Sequence, residues 1–415
     1  MIKFEVFTLD NGLKVLVNQD LSTPLVAMNI LYNVGSKDED PDRTGLAHLF
    51  EHLMFSGSVN IPEFDPPLQL AGGENNAFTN NDITNYYLTL PYENLETGFW
   101  LESDRMLGLN LTEGNIEIQK SVVVEEFKQR YINQPYGDVM HLLRPLTYKI
   151  HPYKWPPIGV DISHIATASL EHVSDFFFSH YAPNNAILSL SGKITPDEAY
   201  RLSNKWFGPV EKRELRKKNI TPEPEQTEER KLSVLRNVPV TALYKAWHVC
   251  KRTDEDFYTL DLLTDILAGG ESGRLYSKLV REKGLFSEVN AWLTSDIDPG
   301  LVIFQGRLMN NVDIEVAEQS LNEIIDELKH KEPETKEMEK VKNRYESATV
   351  ISNSGILNKA MNLAYYELLG NPELINSEIE NFCRVSPEMV KESAIKYLNP
   401  SNCSTVYYIS ERGEK

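Results

Sequence analysis

The chain is short of cysteine, of long apolar runs and of positive charge, and each shortage excludes a class of protein. Cys250, Cys383 and Cys403 are its three thiols, and none stands in Cys-x-x-Cys spacing. That excludes a disulfide scaffold and a thiolate zinc site, and it fits a reducing compartment. No stretch approaches the ~18 apolar residues of a membrane span. The opening MIKFEVFTLD lacks the basic start and apolar core of a signal peptide. The expected address is therefore the cytoplasm, without a membrane partner, a cleaved leader being left open. Forty-two Lys and Arg against sixty-one acids give a net charge of −19. A field of that sign repels phosphate backbones, so nucleic acid is excluded as an expected partner and basic peptides are favoured.

What is present is an ordinary globular composition, 41% hydrophobic and 25% charged, spread over 415 residues. Single cores stop growing near ~250–300 residues, so at least two domains are expected. Composition breaks at Glu211–Lys231, EKRELRKKNITPEPEQTEERK, which carries both charge signs, two prolines and two aliphatic residues. Such a stretch buries too little apolar area to fold and reads as a solvated linker. The expected division is a domain over 1–211, a linker over 212–232 and a second domain over 233–415.

The two halves end alike. Ser169-Leu-Glu-His-Val leads to Tyr181-Ala-Pro-Asn-Asn and an apolar run, and Ser386-Pro-Glu-Met-Val leads to Tyr397-Leu-Asn-Pro-Ser-Asn and another. Each reads as helix, turn, strand. Phe4–Val17 reads as a hairpin about Asp10-Asn11-Gly12, Leu25–Val34 as a strand, and a helix follows from about Thr44. In the second half Thr241–Val249 reads as a strand, Phe257–Leu267 and Val312–Lys329 as helices, and the region near Val289–Leu293 as a strand. Strands and helices are grouped rather than strictly alternating, which predicts two homologous α+β domains, each a sheet covered by helices.

Two of the nine histidines stand four apart in Gly45-Leu-Ala-His48-Leu-Phe-Glu51-His52-Leu-Met-Phe55. On a helix that spacing stacks both imidazoles on one face, where they can share one ion. Glu51 reaches the edge of the same face without being a ligand. Two fixed nitrogens, an open position and a carboxylate to accept a proton are the parts of a zinc hydrolase, and His-x-x-Glu-His is the inverse of the commoner zincin order. The alternative is a chance pentapeptide, against which the flanking Leu46, Ala47, Leu49, Phe50, Leu53 and Met54 argue. Polar groups inside an apolar helix need partners.

A third ligand, usually a carboxylate, is offered by Ser121-Val-Val-Val-Glu125-Glu126-Phe127. Glu126 shares a helix face with Val122 and Gln119, whereas Glu125 points about 100° away. That favours Glu126 as the inward acid, although spacing alone leaves both glutamates free to be solvated. Gly72–Asn81, rich in Asn, Gly and Thr, reads from composition as an irregular loop.

These residues, in this order, resemble the pitrilysin/insulinase family of inverted-motif zinc peptidases, and among them the short two-domain members similar to mitochondrial processing peptidase. The likeness runs through the Thr8-Leu-Asp-Asn-Gly-Leu-Lys-Val15 hairpin, the His-x-x-Glu-His helix, Gly73-Glu-Asn-Asn-Ala-Phe-Thr79, Thr84-Asn-Tyr-Tyr87, Val122-Val-Val-Glu-Glu126, His151-Pro-Tyr153 and Tyr181-Ala-Pro-Asn-Asn185. It implies two domains facing each other as a clamshell and one Zn²⁺ per chain on His48, His52 and Glu126. It matches Glu51 to the general base that activates the attacking water, and Asn76 and Ala77 to an edge strand that takes the substrate peptide as an added strand. The implied function is endopeptidase cleavage of unfolded peptides in an enclosed chamber.

The chain departs from the family pattern twice. The family's second glutamate, seven residues before the ligand, is Gln119 here. Of the arginine and tyrosine that reach the substrate from the second half, Arg281 matches the first and Ser287 stands at the second. A dimer is expected, of two identical chains or with a related subunit lacking the zinc motif. The competing reading is a non-catalytic scaffold or peptide-binding subunit; hydrolysis of a non-peptide substrate is the third.

Overall fold

The computed structural model describes residues 1–216 and 219–411. Lys217 and Lys218 of the expected linker, and residues 412–415 of the expected second domain, lie outside the described residues. The first sheet contains β1 (Glu5–Thr8), β2 (Lys14–Gln19), β3 (Leu25–Tyr32), β4 (Glu74–Thr79), β5 (Thr84–Pro91) and β6 (Ala186–Gly192), in the order β1-β2-β6-β3-β5-β4. The second contains β7 (Arg230–Arg236), β8 (Ala242–His248), β9 (Phe286–Leu293), β10 (Leu301–Leu308) and β11 (Cys403–Ser410), in the order β7-β11-β8-β10-β9.

Replace β2, β6, β3, β5 and β4 by β7, β11, β8, β10 and β9, and the first order becomes the second. The single parallel pair is kept, β2 with β6 and β11 with β7, and every other pairing is antiparallel. The likeness seen at the ends of the halves is thus a repeat of the whole sheet, to which the first half adds β1. The hairpin, the three strands and the three helices expected from periodicity are all present, the helices at Leu46–Leu53, Asp256–Ala268 and Ile314–His330. Gly72–Asn81 is not a loop throughout, because most of it forms β4.

By compactness the chain divides into one unit of residues 1–129, 155–220 and 350–377, and another of residues 130–154, 221–349 and 378–415. The contiguous domains expected at 1–211 and 233–415 therefore exchange segments. The reason is that these strands are buried on both faces. In the second sheet Leu243, Val302 and Phe304 enter one apolar cluster, with the helices Asp256–Ala268 and Ile314–His330. Their strand neighbours Tyr244, Leu301 and Ile303 enter another, where Leu143 of the helix Val139–Thr147 joins them. In the first sheet Leu16, Leu31 and Ile187 pack with Leu363 and Ala364 of the helix Ile356–Leu368. Each sheet is closed by a helix that sequence order assigns to the other half.

The charged segment is also less solvated than its composition predicts. Glu223 accepts hydrogen bonds from the backbone N–H groups of Lys149, Ile150 and His151 at 2.7–2.9 Å. Gln226 is buried. Arg213 donates to the carbonyls of Tyr181, Met106 and Leu107. β7 begins at Arg230, so residues 230–232 belong to a strand and not to a linker.

Leu363 is fully buried against the first sheet. Leu363→Ala is expected to destabilise the protein by about 2–5 kcal/mol, read as a lower urea midpoint, and a fragment of residues 1–211 is expected not to fold alone. The same helix is tied to the turn after β2 by Lys359 and Asp20 at 2.7 Å. Hydrogen bonds from Lys359 and then Ser22 hold the Asp20 carboxyl down at about 2. A depressed acid stabilises the fold fully above its unfolded value, and that contribution is lost as pH falls from about 4 to about 2. The pair is half-buried at the surface, and solvent screening keeps the effect modest. NMR titration of Asp20 is expected to show the depressed midpoint, returned toward the ordinary value in Lys359→Met.

Candidate metal centre

The His-x-x-Glu-His segment is helical over Leu46–Leu53. Eight residues are too few for a stable isolated helix, so tertiary contacts must hold it. It starts from Gly45, whose φ of 94° is left-handed and whose Cβ, if present, would lie 2.8 Å from the Ile158 carbonyl. Its first turn is held by Glu39, which accepts from the N–H groups of Gly45 and Ala47, each at 2.8 Å. A carboxylate there satisfies orphan donors and opposes the positive end of the helix dipole. Leu46, Ala47, Leu49, Phe50 and Leu53 form the buried face. Phe50 lies among Phe176, Phe177 and Tyr181, with ring centroids 5.0–6.0 Å away, and its carbonyl accepts from the Tyr86 hydroxyl at 3.0 Å. Arg105, in a fully buried pair with Glu102, stacks over Tyr86 and Phe64.

With that face buried, His48, Glu51 and His52 are left on the accessible side. The helix Glu113–Phe127, capped by Thr112, brings Glu126 to them. Glu126 Oε2 lies 3.8 Å from His48 Nε2 and 3.4 Å from His52 Nε2. One ligand atom from each of the three residues falls within 4.8 Å of the others. These separations are long for hydrogen bonds. They suit a shared ion, because two donors each ~2.0–2.1 Å from a tetrahedral zinc stand about 3.3 Å apart. The three side chains are 12%, 24% and 17% exposed, so the cluster is sheltered but open to a small ligand.

The choice of Glu126 over Glu125 agrees with the geometry; the apolar face offered in its support does not. Val122 is 45% exposed, and the helix instead buries Ile116, Lys120 and Val123. Glu126 sits three residues after Val123, at the margin of the buried stripe, while Glu125 is exposed and pairs with Lys128. Gln119 is half-buried two turns before Glu126. Burial is the largest influence on Glu51 and pushes its carboxyl above the ordinary range; Thr79 and His52 pull it down, and Glu126 adds to the rise.

Asn76 and Ala77 lie on β4, the edge of the first sheet, and the Ala77 N–H donates to Asn76 Oδ1 at 2.8 Å. Arg281 and Ser287 belong to the second unit, whereas the three clustered residues belong to the first. Arg281 is exposed and donates to Ser277 Oγ; Ser287 Oγ donates to the Arg307 carbonyl. Glu39 and Thr79 were invisible as site residues. Glu39 stands in the acidic run Lys37-Asp-Glu-Asp-Pro-Asp42, which looks solvated, yet it is 2% exposed. Glu39→Ala is expected to leave two buried donors without their acceptor and to cost about 1–3 kcal/mol. Faster amide exchange at Gly45 and Ala47 and a lower denaturant midpoint would report it.

Among the described residues no helix is long and apolar enough to cross a membrane. Residues 14–155 match the family described as insulinase (peptidase family M16), and residues 167–345 match the peptidase M16 inactive domain. The chain is 32% identical over 359 residues to zinc protease PqqE of Helicobacter pylori, covering 85% of this chain and 80% of that protein. It is 25% identical over 388 residues to the uncharacterized zinc protease YmxG of Bacillus subtilis, covering 92% and 93%. The crystal structure of a protease from Helicobacter pylori superposes with a TM-score of 0.93 at 27% identity, over 99% of this chain and 100% of that one. From motif, fold and relatives together, the chain belongs to the insulinase family of two-domain M16 peptidases.

Proposed function

We propose that the chain is a zinc-dependent endopeptidase in which His48, His52 and Glu126 hold one Zn²⁺. The observation that carries this is the convergence of two imidazole nitrogens and one carboxylate oxygen at separations suited to a single ion, beside Glu51. When bound, zinc supplies Lewis acidity that makes water more acidic and polarises a carbonyl. Glu51 accepts the proton of the attacking water and passes it to the leaving amine, a role suited to a carboxyl whose basicity burial has raised. Gln119 supports the ligand helix without adding charge.

An extended peptide adds to the edge of β4 at Asn76 and Ala77, exchanging main-chain hydrogen bonds and leaving residue choice to side-chain pockets. Arg281 is assigned to substrate holding, and the net charge of −19 supports basic peptides. The chain works as a dimer, with an identical or a related partner. The cytoplasmic address is supported by three free cysteines. A second reading, a peptide-binding subunit without activity of its own, is favoured by Gln119 in place of a glutamate and by Ser287.

Purified chain is expected to carry one zinc and to cleave a quenched fluorescent peptide, activity being lost to chelator and restored by zinc. Glu51→Gln is expected to retain zinc while turnover falls by roughly 10²–10⁴-fold. His48→Ala is expected to lose the metal. Zinc-loaded chain that cleaves nothing alone, but supports cleavage by a companion chain, would establish the second reading instead.

A further inference from the structure

Tyr86 joins two parts of the site without belonging to the metal cluster. It lies on β5, where it stands opposite Ala77 of β4 in the antiparallel ladder. Its hydroxyl reaches the motif helix and donates to the Phe50 carbonyl at 3.0 Å. The side chain is fully buried, and the Arg105 guanidinium covers its ring 4.4 Å from the centroid. Within the helix the Phe50 carbonyl already accepts from the Met54 N–H at 3.1 Å. The phenol is therefore a second donor on one oxygen, delivered from the neighbouring strand.

The motif helix needs a directional contact of this kind. Its apolar face packs against rings, and apolar attraction has no preferred direction. Packing alone leaves eight residues free to roll or slide by a fraction of an ångström. A hydrogen bond weakens steeply once its angle is lost, so it resists that movement. Phe50 stands between His48 and His52 in the chain, and Glu51 follows it. Any roll at Phe50 moves all three, and reacting groups displaced by about 1 Å can lose about 10²-fold in rate.

We infer that Tyr86 is a positioning residue that fixes the motif helix, and with it Glu51, relative to the β4 edge. This rests on the proposed docking of a peptide at Asn76 and Ala77 and on the proposed role of Glu51. The residue paired with Ala77 is the residue whose hydroxyl holds Phe50, so strand edge and proton acceptor are referred to one side chain. Arg105, itself fixed by its buried pair with Glu102, backs that side chain. Tyr86 acts through Ala77 and Phe50, with no part in bond breaking.

The test uses full-length zinc-loaded protein with Tyr86→Phe, which keeps the ring and removes the donor, and Tyr86→4-aminophenylalanine, which keeps a donor. Tyr86→Phe is expected to lower kcat on a quenched fluorescent peptide about 10-fold, with KM and zinc content unchanged. The second variant is expected to recover most of the turnover. In metal-free protein, the carbonyl carbon resonance of Phe50, assigned through its bond to the labelled Glu51 nitrogen, is expected to move in Tyr86→Phe and to return in the second variant. Wild-type kcat in Tyr86→Phe, a rise in KM alone, or loss of zinc in step with activity would overturn the inference. If wild-type protein cleaves no peptide, the proposed function fails, and the Phe50 resonance alone decides whether Tyr86 holds the helix: movement supports it and an unmoved resonance overturns it.

Discussion

An eight-residue helix with two imidazoles and a carboxylate on one side holds its shape only because the other side is buried. Phe50 is the centre of that burial, packed among three aromatic rings, with its carbonyl tied to Tyr86. Glu39 closes the first turn, and Gly45 lets the chain enter where a side chain would collide. Once the apolar face is fixed, helix periodicity leaves His48, Glu51 and His52 no other direction. The geometry of this face is therefore a consequence of core packing, and the residues that decide it include several outside the His48, His52 and Glu126 cluster.

The first sheet sets the same helix in place from the other side. β5 supplies Tyr86, and β3 and β6, between β5 and β2, are buried on both faces. One of those faces is completed by the helix Ile356–Leu368, just over three hundred residues after the motif, with ion pairs from Lys14 to Glu367 and from Lys359 to Asp20. The second sheet is completed reciprocally by the helix Val139–Thr147. Neither half of the chain contains all the apolar surface its own sheet must cover, which makes the two halves one folding problem. Either half separated from the other would leave a sheet face open.

The shared topology of the two sheets makes their difference in content informative. The second half repeats the strand order and the parallel pair but has no His-x-x-Glu-His, and its match is to an inactive domain of the same family. The shared part is the strand order, and the His-x-x-Glu-His motif stands in one copy. A sheet buried on both faces constrains many positions at once, whereas a metal centre depends on a few side chains on one accessible helix face.

The sequence by itself determined the α+β class, the repeat and the His-x-x-Glu-His helix, because each rests on local periodicity or on an ordered series of motifs. It misread whatever depends on distant partners. Val122 looked inward and is exposed, since helix phase is set by what packs against it. Glu39 drew no reading in its acidic run and is buried, since its partners are backbone N–H groups that composition does not record. Composition alone reads Gly72–Asn81 as a loop and only the resemblance points to an edge strand there; β5 makes most of it a strand by offering a ladder. The exchanged helices were invisible for the same reason. Which surface a helix covers is decided by long-range contact, and one-dimensional order carries no trace of it.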